Sequence, residues 1–559
     1  LSSESLLTQA NTLLHRGQFT EALALLRKAR RTYPAHAGIA LALADSLHAS
    51  GQLQEAVRAY ASALRLNQNS ADGWYAAGCA HLALKSYAAA AAALRRAKTL
   101  APNSGNVYYN LAKSLFELGQ VEQAVLHFDL AAQLDPTLQR MAWASIACII
   151  PGSADADHAA VLAARRRWAE TEATPPSLPT SGTAGTRLRV GYVSAFFGDR
   201  NWMKPVFAAI NRHDRSRFEI HMFSDGAPPA AESGYREHDD DIIYDLRGVE
   251  NDRAADIVRA AGIDVLVDLN GYSYQARLPL LMARPAANIV GWFNMFATTG
   301  STAFDWLVGD AAVIGATEEG HYCERIHRVS GTYLAFEVLY PVPDVAPPPC
   351  TLNRGRLTFG CLGSHYKLTD AVLSAWAAIL HAAPATRLFI KNGTLQDRSV
   401  CADLLARLHS RGISASRISL QGRSEHFDFL AAYAEVDIAL DTFPYNGGTT
   451  TTEALWQGVP VLTFDGDRWA ARTSKSLLLA ARLPDWVMPD QGAYIRRAAE
   501  LANDPATPAM LASLRAGMRQ ALRTSPACDA DGLCRDLERF YSRITAERRT
   551  QEGQKAFLV

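Results

Sequence analysis

A 34-residue spacing constrains this chain more than any other feature of its 559 residues. Pro34, Pro102 and Pro136 stand on it, separated by 68 and then 34 positions. Small residues keep the same ruler. Ala10, Ala44, Gly78 and Ala112 share one offset, Ala22, Ala56, Ala90 and Ala124 a second, and Ala29, Ala63, Ala97 and Ala131 a third. Small side chains let helices approach closely, and one helix pair cannot bury its apolar face alone. The period therefore predicts antiparallel helix pairs stacked into a superhelix, in units 3–36, 37–70, 71–104 and 105–138.

The punctuation repeats as well. Trp74 and Tyr108 fill a bulky position early in the first helix of a unit, and Tyr60, Leu94 and Phe128 fill the matching slot of the second. Gly17, Gly51 and Gly119 fall between helices, where glycine takes a positive φ without strain. The second unit carries Gln68 in place of proline. This is the pattern of tetratricopeptide repeats, whose groove presents itself to extended polypeptide. A protein or peptide partner follows, with Asn106 and Asn110 as polar candidates for the groove.

Composition sets outer limits. The length suits about three compact units, and 48% apolar residues supply their cores. A formal net charge of zero argues against a general grip on nucleic acid or on an anionic membrane. Eight cysteines include no CxxC pair and no His/Cys metal spacing, which predicts reduced thiols and a cytoplasmic location. No apolar run approaches the ~18 residues of a membrane span, and no signal-peptide pattern opens the sequence.

Two breaks divide the remainder. Residues 172–186 are rich in Pro, Ser, Thr and Gly and read as a linker, preceded by a helix at 155–170 that closes the stack. Residues 341–350 (PVPDVAPPPC) read as a stiff hinge. The expected parts are repeats at 1–150, a closing helix and linker at 151–186, and lobes at 187–345 and 346–559. Apolar strands are expected near 187–194, 218–223, 263–269, 288–292 and 305–309, then near 357–362, 386–391, 417–421, 437–441 and 459–464. Continuous rather than alternating apolar strands mean sheets buried on both faces, hence two parallel, Rossmann-like α/β lobes. Ligands of such lobes sit in the cleft at the carboxyl ends of the strands.

Candidate chemistry lies at those ends. Asp441 closes one strand and opens the run TFPYNGGTTTTEALW. Gly447 and Gly448 lead into a helix start, whose free N–H groups and partial positive charge suit a phosphate or diphosphate. Thr449, Thr450, Thr451 and Thr452 can cap that helix or donate to phosphate oxygens, and Glu453 can accept from ribose hydroxyls. After another strand, Ser364-His365-Tyr366-Lys367 brings an ammonium to the same cleft to neutralise a diphosphate leaving group. Arg423 and His426 follow a third strand, where the imidazole can meet a nucleotide base or ribose. Asp268 ends a first-lobe strand and is the candidate general base, and the Thr298-Thr299 loop can approach the sugar. Plainer readings stand beside these: a helix cap, a surface lysine, a structural histidine, and an acceptor for the Asn270-Gly271 turn. Asp465-Gly466-Asp467 and Asp239-Asp240-Asp241 look like metal-binding DxD runs but read as loop carboxylates, with Asp467-Arg468 able to contact a donor.

The strings VGYVSAFFG, VDLNGY, GWFNMFATTG, SHYKLT and LDTFPYNGGTTTTEALWQGVPVLT resemble glycosyltransferase family 41 over about residues 3–525. That family comprises the O-linked N-acetylglucosamine transferases and a Spindly-like branch. The resemblance implies a GT-B fold and inverting, metal-independent transfer from UDP-GlcNAc to Ser or Thr hydroxyls of proteins. It also implies that Lys367 is the diphosphate lysine, His426 the nucleotide-contacting histidine, and Thr449 and Thr450 the phosphate-binding pair. Asn446 belongs to the same nucleotide-sugar set, and no metal or other cofactor is expected. Three positions depart from the pattern: Gly448 replaces a histidine, Glu453 an aspartate, and Arg200 an active-site histidine beside the sugar and acceptor. The run GGTTTTE is nearer the Spindly-like form, whose plant members use GDP-fucose. GDP-fucose or another nucleotide sugar is therefore the alternative donor, and a non-catalytic scaffold sensing a nucleotide sugar is the third reading.

Overall fold

The structure, a computed structural model, describes residues 2–172, 187–353 and 355–557, with side chains to residue 551. The expected linker, apart from Glu172, lies outside the described residues. Eight helices form the four repeat units: α1 (Ser3–His15) with α2 (Phe19–Thr32), α3 (Ala37–Ala49) with α4 (Leu53–Leu66), α5 (Ala71–Ala83) with α6 (Tyr87–Leu100), and α7 (Gly105–Glu117) with α8 (Val121–Leu134). The alanines on the 34-residue ruler are all buried, since each marks a point where helices touch. Gly17, Gly51 and Gly119 turn the chain between helices at φ 72, 78 and 74. Two helices close the stack, α9 (Gln139–Ile149) and α10 (His158–Ala169).

The first lobe is a seven-stranded parallel sheet in the order β3-β2-β1-β4-β5-β6-β7. Its strands are β1 (Leu188–Ser194), β2 (Phe218–Ser224), β3 (Ile242–Asp245), β4 (Val265–Asp268), β5 (Asn288–Gly291), β6 (Trp306–Asp310) and β7 (Arg325–Val329). Helices α11 (Lys204–Ile210), α12 (Asn251–Ala261) and α13 (Leu278–Met282) accompany it. The second lobe is a six-stranded parallel sheet, β10-β9-β8-β11-β12-β13. It comprises β8 (Thr358–Cys361), β9 (Arg387–Lys391), β10 (Ile418–Gln421), β11 (Ile438–Leu440), β12 (Val461–Phe464) and β13 (Val487–Met488). Around it lie α14 (Asp370–Ala382), α15 (Arg398–His409), α16 (His426–Ala431), α17 (Thr449–Trp456), α18 (Thr473–Ala480), α19 (Gln491–Asn503) and α20 (Thr507–Arg523). Both orders reverse beside the first strand, between β1 and β4 and between β8 and β11, the switch points where such sheets take ligands.

The sequence boundary at 346–559 groups one element with the wrong lobe. The last helix, α21 (Ala530–Phe557), buries Leu533, Leu537, Phe540, Tyr541 and Ile544 in the core of the first lobe. The hinge is pinned by α20: Arg519 donates to Pro343 O at 2.9 Å and Arg515 to Ala346 O at 3.2 Å. No helix among the described residues is long and apolar enough to cross a membrane.

The repeats dock on both lobes. Fully buried Arg165 of α10 donates to Ala147 O at 3.0 Å within the stack, and to Thr298 O and Met295 O of the first lobe at 2.6 and 3.2 Å. On the second lobe, the α7–α8 turn packs on the loop after β8. Gly119 is obligatory there, because a Cβ would lie 2.4 Å from Leu368 O. Arg407 of α15 ties the same places, donating to Leu118 O at 2.6 Å and Leu368 O at 3.0 Å. Arg165→Met strands three buried carbonyls, so it should lower stability by about 2–5 kcal/mol. Thermal and urea unfolding measure this; an unchanged midpoint would mean that the junction does not depend on this guanidinium.

Candidate active site

A cavity of about 1180 Å³ lies where the three parts meet. The repeats contribute Lys85, Tyr87 and Glu117, the first lobe Asp199, Trp202 and Lys204, and the second lobe the loops after β8, β10 and β11. Lys367 follows β8 and the glycine-threonine turn follows β11, so the two loops flank the switch point from opposite sides. Adjacent strands thereby bring together residues 79 positions apart. Lys367 Nζ donates to Asn446 O at 2.6 Å and stands 4.1 Å from the centre of the Tyr445 ring. The amine is half-buried and forms no ion pair among the described residues. Its desolvation pulls the pKa from 10.5 down to about 8, against an opposing field from Asp441.

The turn itself is rigid. Asp441 Oδ1 accepts from Gly447 N and Thr442 N, each at 2.9 Å, while its Oδ2 accepts from Thr463 Oγ1 at 2.8 Å. A Cβ on Gly447 would lie 2.6 and 2.7 Å from the Oγ1 atoms of Thr450 and Thr451, so any side chain here would push both hydroxyls out of place. Gly448 is the residue before α17, and no side chain caps that helix. The threonines therefore are not caps, which corrects one sequence reading. Thr452 Oγ1 donates back to Thr449 O at 2.7 Å, and Thr451 pairs with Ser474 at 2.8 Å. The first N–H groups of α17 are left for a ligand beside the lysine.

Ser364, Arg423, His426, Asn446, Gly448, Thr449, Thr450 and Glu453 all line this cavity with Lys367. Gly447 and Thr451 lie just behind, lining a small recess with Lys367 and Thr450. Glu453 is buried and already engaged, because its Oε1 meets His426 Nε2 at 3.0 Å and Lys204 Nζ at 3.6 Å. Lys204, from the first helix of the first lobe, is also buried, and desolvation lowers its pKa while Glu453 raises it. Sequence reading missed Lys204, since nothing in the string WMKP distinguishes a buried lysine from a solvated one.

Three first-lobe assignments change. Asp268 is fully buried, lines no part of the cavity, and accepts from Asn270 N and Gly271 N at 2.9 and 3.1 Å. Burial pushes its pKa up to about 7, yet the carboxylate has no path to a substrate; it holds a turn. Thr298 and Thr299 face away from the cavity and bond Glu324, with Thr298 Oγ1 donating at 2.8 Å and Thr299 N at 2.6 Å. They fix the loop that receives Arg165, not a sugar. Arg200 lies outside the lining, 5.4 Å from the Tyr340 ring, with Lys204 5.9 Å from the same ring. Asp199, its neighbour, does face the cavity, and desolvation raises its pKa.

The DxD runs are engaged elsewhere. Asp465 pairs with Lys475 at 2.7 Å and Arg472 at 3.3 Å, and Asp241 pairs with Arg215 at 2.7 Å. Asp467 pairs with Arg468, whose Nη1 donates to Ser153 O at 3.2 Å, so this pair meets the repeat closure rather than a donor. Among the described residues, His213, Cys534 and Glu538 are the one group with metal-like proximity. It joins α21 to His213 of the first lobe, and both imidazole nitrogens are taken, by Glu538 at 3.1 Å and Tyr192 at 2.7 Å.

The Lys204–Glu453 pair predicts a charge-balance effect. Lys204→Met leaves a buried carboxylate short of its cation and should cost about 3–5 kcal/mol. Adding Glu453→Gln should recover most of that loss. Denaturation of both single variants and the double variant tests this cycle, and additive losses would refute the coupling.

Similarity to known proteins agrees with this architecture. The profile of glycosyl transferase family 41 matches residues 169–338 and 351–537, and tetratricopeptide profiles match 13–78, 71–104 and 105–138. A probable UDP-N-acetylglucosamine–peptide N-acetylglucosaminyltransferase SPINDLY from Hordeum vulgare is 30% identical over 384 residues, covering 67% of this chain and 40% of that protein. The corresponding SEC protein of Arabidopsis thaliana is 27% identical over 385 residues, covering 66% and 38%. The chain thus spans about two-fifths of the length of these curated relatives. A solved structure of an O-GlcNAc transferase mutant from Thermobaculum terrenum superposes with a TM-score of 0.78 at 30% identity, covering 92% of this chain and 98% of that one. With its profile matched across both lobes and its fold shared, the chain belongs to glycosyl transferase family 41.

Proposed function

We propose that this protein is an inverting, metal-independent protein O-glycosyltransferase that moves N-acetylglucosamine from UDP-GlcNAc to Ser or Thr hydroxyls. The observation that carries the reading is the half-buried Lys367 amine, unpaired among the described residues, 2.6 Å from the carbonyl that opens an uncapped helix start. A desolvated cation beside free N–H groups is matched to an anion whose charge grows during reaction. The acceptor oxygen attacks the anomeric carbon as the bond from that carbon to the diphosphate breaks. Lys367 and the first N–H groups of α17 take up the charge on the leaving phosphate. Asp199 replaces Asp268 as the first-lobe carboxylate for the acceptor's proton. Glu453, oriented by His426 and Lys204, receives the ribose diol, and the repeat groove delivers the polypeptide.

GDP-fucose is the second reading of the donor, favoured by Gly448 and Glu453 in the GGTTTTE run. Thermal-shift titration with UDP, GDP and their sugars separates the two, since a ligand at 100 times its Kd adds about 2.7 kcal/mol. Turnover that survives chelation supports metal independence, and loss of it on chelation overturns it. Donor hydrolysis or peptide glycosylation rules out a purely sensing scaffold.

Lys367→Met should keep the fold and lower transfer by about 100- to 1000-fold; retention of more than about a tenth of wild-type turnover would refute its role. The pH profile gives an independent check. The charged amine is the working form, so kcat/KM for the donor should fall as pH rises through about 8. An ordinary lysine would hold the plateau about two pH units further.

A further inference from the structure

The catalytic cavity has a neck. Lys85, Tyr87 and Glu117 line both it and a second cavity of about 550 Å³ on the repeats. Asn110, Lys113, Phe116 and Ser145 line that second space, from the first helix of the fourth unit and from α9. Asn106 is exposed and lines neither cavity.

Lys85 breaks a rule that its own chain keeps elsewhere. Gly17, Gly51 and Gly119 hold the equivalent position of the other units, at φ 72, 78 and 74, and Lys85 adopts the same left-handed backbone at φ 59. That conformation is strained for lysine and free for glycine. Local strain at a cavity wall marks a side chain kept for what it does. Lys113 stands nearby on α7, one turn before Glu117. Both lysines are exposed, and neither forms an ion pair among the described residues. Glu117 is the one carboxylate lining the second cavity, half-buried and within the field of both lysines. Two cations against one carboxylate leave a net charge of about +1, the complement of a single carboxylate rather than a dianion.

We propose that this neck selects the acceptor: Lys85 and Lys113 bind an aspartate or glutamate side chain of the polypeptide whose hydroxyl enters the cleft. The inference rests on the glycosyl-transfer reading of the cleft, yet its test does not require turnover. Fluorescein-labelled Ser-containing peptides, carrying one Asp or one Lys at each offset from the serine, are titrated into the full chain and read by anisotropy. At low salt the best Asp peptide should bind about tenfold tighter than its Lys counterpart. Lys85→Gly combined with Lys113→Ala should bring the two within about twofold, and Lys85→Glu combined with Lys113→Glu should invert the preference. Lys85→Gly should melt no lower than wild type, because it installs the residue that the backbone favours, so lost selectivity cannot be ascribed to unfolding. Equal binding at every offset, no binding by any peptide, or a preference that survives both substitutions overturns the proposal. Absence of turnover with every nucleotide sugar would instead defeat the transfer reading, while the anisotropy comparison still decides the neck.

Discussion

An ammonium held partly out of water without a carboxylate beside it is an unfinished electrostatic arrangement, and the molecule is organised around it. Besides the field of nearby Asp441, which makes no ion pair with it, Lys367 has one carbonyl, Asn446 O, and one aromatic face, Tyr445, to offset lost hydration. Neither carries a full negative charge. The deficit is tolerable because the neighbouring strands, the buried Asp441 network and the uncapped start of α17 hold everything else in place. An incoming diphosphate would complete the arrangement rather than disturb it. Parallel topology makes this possible: β8 and β11 are neighbours in the sheet, so the loops that leave them diverge around one crevice.

The repeats are part of that crevice rather than an appendage. Phe116 of α7 stacks on Tyr366 at 4.9 Å, Tyr366 lies 6.2 Å from Tyr445, and Phe296 of the first lobe meets Tyr445 edge-on at 5.0 Å. One run of rings thus joins all three parts alongside Lys367. Ser86 at the start of α6 donates to Asp397 of the second lobe at 2.5 Å, and His158 of α10 meets Asp467 O at 2.8 Å. On the proposed transfer reading, a groove anchored at this many points would hold a polypeptide acceptor in a fixed place, and positioning of that kind is a large part of what two-substrate catalysis needs.

Charge is also placed across the lobes. Lys204 and Glu453 come from helices of different lobes yet meet in a site that buries both. Such pairs are weak as stabilisers and strong as constraints, since either partner alone is costly to bury. Glu453 is longer than the aspartate that the family resemblance expects, and its Oε1 reaches two cationic or donor groups at once.

The sequence by itself determined the periodic and the continuous features. A 34-residue ruler of small residues can be satisfied only by stacked helix pairs, and unbroken apolar strands only by sheets covered on both faces. It missed β3, β7 and β13, because these edge strands are short or half solvated and carry no apolar run. Lys367, the glycine turn and His426 were legible because each sits at a strand end, where backbone geometry aims it at the cleft whatever surrounds it. Asp268, Thr298 and Thr299 shared that position and were misread, since a short polar side chain can satisfy its own turn as easily as a substrate. Which of the two occurs depends on burial. The return of α21 to the first lobe, the Lys204–Glu453 contact and the docking of the repeats depend on it too. All of these join residues hundreds of positions apart through packing, which no local pattern encodes, and so only the tertiary structure decided them.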